Sequence, residues 1–152
     1  MIIDIDMDIG PIDRFLHGLT GAMNDLRPVW QVIHADFFQI EEVQFGNQGE
    51  RGGEKWPELS EPYATRKEKK YPGNPILVAS GRLVGSLVAT AGEHRFFSEP
   101  RQMTVGTAVP YAVLHETGTK HMPARPPIKI SDEDQTRWLG ALSEYIERYL
   151  RS

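Results

Sequence analysis

From Ile12 to Val43 the apolar residues return every three or four positions: Ile12, Phe15, Leu16, Leu19, Met23, Leu26, Trp30, Ile33, Phe37, Ile40 and Val43. That period places them on one stripe of an amphipathic α-helix. A continuous helix over residues 12 to 44 would be about 50 Å long at 1.5 Å per residue. A globule formed by a chain of 152 residues is only about 38 Å across, from a radius of gyration of about 15 Å. The helix must therefore project, or it must break and fold back. Pro28 lies inside the stripe and cannot donate to the Asn24 carbonyl, so a kink or break is expected there. A projecting stripe would leave Phe37, Phe38, Ile40 and Val43 in need of a partner surface, which in a soluble protein is usually another subunit.

The length fits one domain, residues 1 to 152, with a core that needs neither disulfides nor metals. The chain has no cysteine, which excludes disulfide scaffolds, cysteine nucleophiles and thiolate zinc sites. A formal net charge of −4 argues against a protein whose task is to coat phosphate backbones. The dense basic run, RKEKK from Arg66 to Lys70, contains Glu68 and reads as a solvated helix face. No apolar run approaches the ~20 residues of a membrane span, and the acidic start MIIDIDMD has no basic n-region, so a cytoplasmic origin is expected. In that start, Ile3, Ile5 and Met7 alternate with Asp4, Asp6 and Asp8, the pattern of a strand with one wet face. An EF-hand frame from Asp4 would put Ile9 and Phe15 where glycine and glutamate are required, so the polar strand face is the reading preferred over a calcium loop.

GNQGERGGEKWP, Gly46 to Pro57, holds four glycines in its first eight residues and reads as a flexible arm. Gly49, Arg51, Gly53 and Trp56 within it join Phe37, Phe38, Ile40 and Val43 as candidate interface residues. Lys55 has no phosphate-loop context, since glutamate precedes it and tryptophan follows. A short helix capped by Ser60 and ended by PGNP comes next, then a helix from Ser80 with Leu83 and Leu87 on its stripe. Ser80 stands in A-S-G and not in a G-x-S-x-G elbow, so it is read as a cap and not a nucleophile. HRFFSE and QMTVGT around Pro100 are strand candidates, as is PPIKIS. Ser131 and the acidic residues after it start a terminal helix with Trp138, Leu139, Leu142, Tyr145, Ile146 and Tyr149 on one stripe.

His115, Glu116 and His121 in HETGTKHMPARP raise the question of a metal-dependent hydrolase. Two histidines six apart are separated by about 600° of helical rotation and cannot share one face, and Gly118 between them favours a helix end. A short helix from Pro110 closed by Gly118 is the expectation, with His115 in its last turn beside the unpaired carbonyls. The expected fold is α+β: a small, mostly antiparallel sheet from residues 2 to 7, 94 to 98, 102 to 107 and 127 to 130, packed by a long kinked N-terminal helix and a C-terminal amphipathic helix.

Four short segments, WPELS (Trp56 to Ser60), LVASGRL (Leu77 to Leu83), YAVLHETG (Tyr111 to Gly118) and ARPP (Ala124 to Pro127), occur in an order and separation that resemble the phage virion morphogenesis (tail completion) family of Mu-like phages. The resemblance covers roughly residues 12 to 150. Thr117 stands where such proteins commonly carry an aromatic residue, and IIDIDMD lies outside the pattern. It implies a structural protein of the phage neck or head-proximal tail end, in the virion and, during assembly, in the host cytoplasm. It implies no catalysis; no metal is expected because of the histidine spacing and Gly118, and no cofactor is expected. It implies contacts with other neck, head-completion and tail proteins, and a symmetric homo-oligomer, a ring, is expected beside a DNA passage that an acidic protein would not grip. Ser80, Arg82, Tyr111, His115, Gly118 and Arg125 are its candidate structural residues. Arg125 is expected to fix the turn after Gly118 by hydrogen bonds to carboxylates or carbonyls. Two further readings come from other classes: a metal-dependent hydrolase on His115, Glu116 and His121, and a nucleic-acid-binding module on Arg66, Lys67, Lys69 and Lys70.

Overall fold

The computed structural model describes residues 10–151, with side chains from residue 13 onward. The predicted strand at 2 to 7 lies outside the described residues. The elements are α1 (Gly10–Asn24), α2 (Arg27–Gly46), a 3-10 turn (Glu50–Gly52), α3 (Glu61–Lys70), α4 (Arg82–Val88), β1 (His94–Glu99), β2 (Gln102–Thr107), α5 (Ala112–Thr117) and α6 (Asp132–Arg151). The class is α+β, with a two-stranded antiparallel sheet among the described residues.

The long apolar stripe breaks at Asp25 and Leu26, just ahead of the proline. Leu26 donates its N–H to the Pro100 carbonyl at 2.7 Å, and the Asp25 carboxylate accepts from the Arg27 backbone N–H at 3.1 Å and from its guanidinium at 2.8 and 2.6 Å. Pro28 then sits in the first turn of α2, where its missing N–H would have had no partner in any case. The break lets α2 run through the middle of the fold while α1 packs on α6. Gly18 and Gly21 make that approach close: a Cβ on Gly18 would come within 2.7 Å of Leu150, and one on Gly21 within 2.9 Å of the Tyr149 hydroxyl.

The core gathers Phe37 and Phe45 of α2, Trp56, Ile76, Leu83 and Leu87 of α4, and Val109. The expectation that Phe37, Ile40 and Trp56 face a partner is thus corrected. They are 1%, 3% and 3% exposed, because the break folds α2 inward and the core covers its stripe. Phe38 is half-buried, and Val43 stays exposed.

Gly46 to Pro57 is not an open arm. Gly49, at φ 92°, turns the chain so closely over Trp56 that a Cβ there would lie 2.5 Å from the indole. The Trp56 N–H donates to the Gln48 carbonyl at 2.7 Å. Arg51 pairs with Asp134 of α6 and donates to the Lys129 carbonyl at 3.2 Å, while Gly53 at φ 109° remains exposed. The positive φ values explain the glycines as turn formers.

β1 and β2 form a hairpin in the register His94 with Thr107 through Glu99 with Gln102. Trp30 of α2 donates its indole N–H to the Glu99 carbonyl at 2.9 Å, and the His34 ring stacks on Phe96 with centroids 3.8 Å apart. The predicted strand at 127 to 130 does not form. Side chains take the Lys129 carbonyl and the Pro126 carbonyl just before it: Pro126 accepts from Trp56 Nε1 at 3.0 Å and Gln44 Nε2 at 3.3 Å, and Lys129 from Arg51. Ile128 and Ile130 still pack against the core. The start of α6 is as expected: the Ser131 hydroxyl accepts from the Asp134 N–H at 3.2 Å, and the Asp134 carboxylate accepts from the Ser131 N–H at 2.8 Å.

Candidate functional site

All four resemblance segments meet at a cleft of about 730 Å³. Glu58 to Ser60 and α3 form one wall, Gly81 and Leu83 at the start of α4 form the floor, and Tyr111, Leu114 and His115 with the turn from His121 to Arg125 close the other side. Its size lies in the range of about 300–1,000 Å³ typical of ligand sites.

Arg125 holds the two walls together. It is 3% exposed; its Nε donates to the Pro57 carbonyl and its Nη2 to the Glu58 carbonyl, both at 2.7 Å. Its own backbone N–H donates to the His115 carbonyl at 2.7 Å. The expected carbonyl bonding is present, but it clamps Pro57 and Glu58 in addition to the chain after Gly118. A planar fork suits two adjacent carbonyls. Gly118 has φ 72°, and a Cβ there would lie 2.7 Å from the Ala124 nitrogen, so only glycine lets the chain after the turn return to α5.

Lys67, considered in the sequence only as part of an exposed basic face, is the second buried cation. Its ammonium donates to the carbonyls of Asn74 and of Pro75, the latter at 2.8 Å. Burial pushes both Lys67 and Arg125 down from their ordinary pKa values. His115 is also pushed down, by burial and then by the Arg125 charge, and its Nδ1 is buried with no hydrogen-bond partner. The His115 ring meets Tyr111 edge-on with centroids 6.0 Å apart, and Arg82, paired with Glu93, lies 5.8 Å over the Tyr111 ring.

Ser80 lines the cleft, but Gly81 at φ 82° is the residue that caps α4. Ser80 Oγ accepts from the Arg82 N–H only at 3.5 Å, so the expected serine cap is corrected by one position. Leu77, which also lines the cleft, has φ 62°, a conformation uncommon for a side chain of its size.

His115 and His121 both line the cleft, whereas Glu116 does not. Among the described residues no group of three His, Asp or Glu side chains is placed to hold a metal ion. The basic run divides: Lys67 is buried in carbonyls, while Arg66 stands over the Tyr63 ring and Lys70 over the Tyr71 ring. A continuous phosphate-binding face from these four residues is therefore broken at Lys67.

A second buried titratable group sits in α2. Glu41 is 0% exposed, neither carboxylate oxygen has a partner, and Oε1 of the neighbouring Gln44 is also unbonded. Burial pushes the Glu41 carboxyl up to about 8, against the pull of Arg51. The sequence signal is that Glu41, unlike Glu42, stands four residues from both Phe37 and Phe45 and so on the same helix face.

Residues 7–147 match the model of the phage virion morphogenesis family, leaving most of the acidic run IIDIDMD outside the match. The chain is also 30% identical over 128 residues to the Mu-like prophage FluMu G protein 1 of Haemophilus influenzae, covering 83% of this chain and 82% of that relative. No solved structure matches. With the match running from before α1 nearly to the end of α6, and so through every wall of the cleft, the chain belongs to the phage virion morphogenesis family.

Proposed function

We propose that this protein is a structural component of the neck or head-proximal end of the phage tail, completing the tail and joining it to the head without catalysis. The observation that carries the reading is the family match over residues 7–147. The chemistry of the cleft is compatible with it: buried Lys67 and Arg125 donate to carbonyls that hold the walls, an arrangement suited to a rigid recognition surface. It acts in this reading as a symmetric homo-oligomer, most simply a ring, contacting head-completion and tail proteins. Val32, Val43, Phe97 and Leu139 are 57%, 51%, 62% and 63% exposed, and subunit contacts would cover such surface. The net charge of −4 suits a ring beside a DNA passage that must not hold its cargo. The protein is made in the host cytoplasm and ends in the particle. Deleting its gene and imaging the lysate tests this. Full heads and separate tails, or tails defective at the head-proximal end, are expected. Normal infectious particles, or a block at capsid formation, would overturn it.

A further inference from the structure

The cleft carries positive charge that the chain itself does not neutralise. Arg66, Lys67 and Arg125 line it against one carboxylate, Glu58. Neither Lys67 nor Arg125 forms an ion pair among the described residues, whose guanidinium pairs involve Arg27, Arg51, Arg82, Arg137 and Arg151. Arg125 Nη1 makes no hydrogen bond among them either, since only Nε and Nη2 donate. The Arg125 guanidinium stays charged at working pH, and a low-dielectric cleft concentrates its field on whatever enters. The floor and rim beside them are apolar, with Leu77, Leu83, Leu114 and Tyr111. An occupant that offers both carboxylates and aliphatic groups suits this lining.

The run from Ile2 to Asp8 has that chemistry: extended, it presents Ile3, Ile5 and Met7 to one side and Asp4, Asp6 and Asp8 to the other. We infer that residues 2–8 of one copy bind in the cleft of a neighbouring copy, carboxylates toward the cationic wall and aliphatic side chains on the floor.

The geometry of α1 and α6 favours an intermolecular exchange. Gly18 lies against Leu150, Gly21 against Tyr149, and the Tyr145 hydroxyl donates to the Asp25 carbonyl at 2.9 Å, so the two helices run antiparallel. From Leu150 back to Asp134 is about 24 Å, and from Gly18 to Gly10 about 12 Å in the opposite direction, at 1.5 Å per residue. Gly10 is therefore about 36 Å from Asp134 along the bundle. The cleft belongs to the Asp134 end: Arg51 pairs with Asp134, and Trp56 and Gln44 bond the Pro126 carbonyl next to Arg125. Asp8 can be at most about 7 Å from Gly10, and Ile2 at most about 28 Å, even fully extended. That reach of about 28 Å falls short of the distance of about 36 Å to Asp134 along the bundle, which favours the cleft of a neighbouring copy.

This inference rests on the multimeric reading proposed above, and its test separates the two. Full chains carrying Leu114→p-benzoylphenylalanine, a position 47% exposed in the cleft, are mixed with heavy-isotope chains and irradiated. The expected cross-link joins position 114 to a fragment within residues 2–8 of the other isotopic form. Its yield should fall about tenfold with D4N/D6N/D8N and with Arg66→Glu, and Asp6→Lys should restore it in the Arg66→Glu background. An oligomer whose cross-links map elsewhere overturns the exchange and leaves the ring standing. If sedimentation finds a monomer, the peptide MIIDIDMDI is titrated against the chain. Shifts at the Leu114 and His115 resonances, with affinity about tenfold lower for the triple Asp→Asn peptide, support the site. No shift, or equal affinity for both peptides, overturns it.

Discussion

Glu41 makes the folded chain sensitive to alkali at a place remote from its surface. It is 0% exposed, and neither of its oxygens has a partner, so the neutral acid is the form the interior accepts. Burial, with smaller upward contributions from Glu116 and Asp134, raises its pKa from 4.5 to about 8 against the pull of Arg51. Between those values the folded chain keeps a proton that the unfolded chain releases. The stability from this group is therefore fully present below pH 4.5 and is lost as pH rises through about 8. The slope is about 1.4 kcal/mol per pH unit, giving a loss of about 3 kcal/mol by pH 7 and about 5 kcal/mol once the folded group has ionised. Glu41→Gln keeps the shape and removes the titration. Urea unfolding of both proteins, at one protein concentration and at pH 5, 7 and 9, reads the difference and cancels every other titrating group. The variant should gain about 3 kcal/mol relative to wild type between pH 5 and 7, with the gain levelling off above pH 8. Parallel stability curves across this range would refute the reasoning and mean that the carboxylate finds a partner or water.

Asp134 behaves oppositely. Burial pushes its carboxyl up, but hydrogen bonds from Arg51, from Ser131 and from Arg137 outweigh this and hold it below the usual range, so its stability is present above pH 3.8 and lost as pH falls further. Asp134→Asn should cost about 3 kcal/mol in urea unfolding at pH 7 and flatten the acid limb, because the mostly buried Arg51 loses the charge of its fully buried partner. Gly118→Ala should cost at least about 1–3 kcal/mol and lower the thermal midpoint, since φ 72° and a 2.7 Å approach to the Ala124 nitrogen both oppose a side chain. Arg125→Lys should lose one of two wall-clamping bonds and cost about 1–3 kcal/mol, with hydrogen exchange rising at the amides of Ala124 and residue 125 and at Glu58.

What the sequence made legible was local. The terminal helix was readable from its stripe and its Ser131 start, the hairpin from the alternation around Pro100, and the end of α5 from Gly118, because each signal lies within a few residues of the structure it determines. The misplaced features depend on distant partners. The break falls at Asp25 and Leu26 because the Pro100 carbonyl accepts the Leu26 N–H. PPIKIS fails as a strand because Trp56, Gln44 and Arg51 take its carbonyls. The glycine-rich segment packs down because Trp56 requires a neighbour without a Cβ at Gly49. The site divides in the same way. Ser80, Tyr111, His115 and Arg125 were named from the resemblance, but no spacing in the chain shows that they line one cleft. The burial of Lys67 was hidden because it depends on the carbonyls of the Asn74 turn, and that of Glu41 because it depends on how α2 packs into the core.

The central claim is a structural place at the junction of head and tail. Its most direct test is electron microscopy of purified particles that carry this protein with an affinity label for gold. The account predicts gold confined to the neck or head-proximal tail end, at a constant copy number per particle and in a closed symmetric arrangement. Gold along the tail tube, gold at the distal tip, or purified infectious particles free of the labelled protein would contradict it.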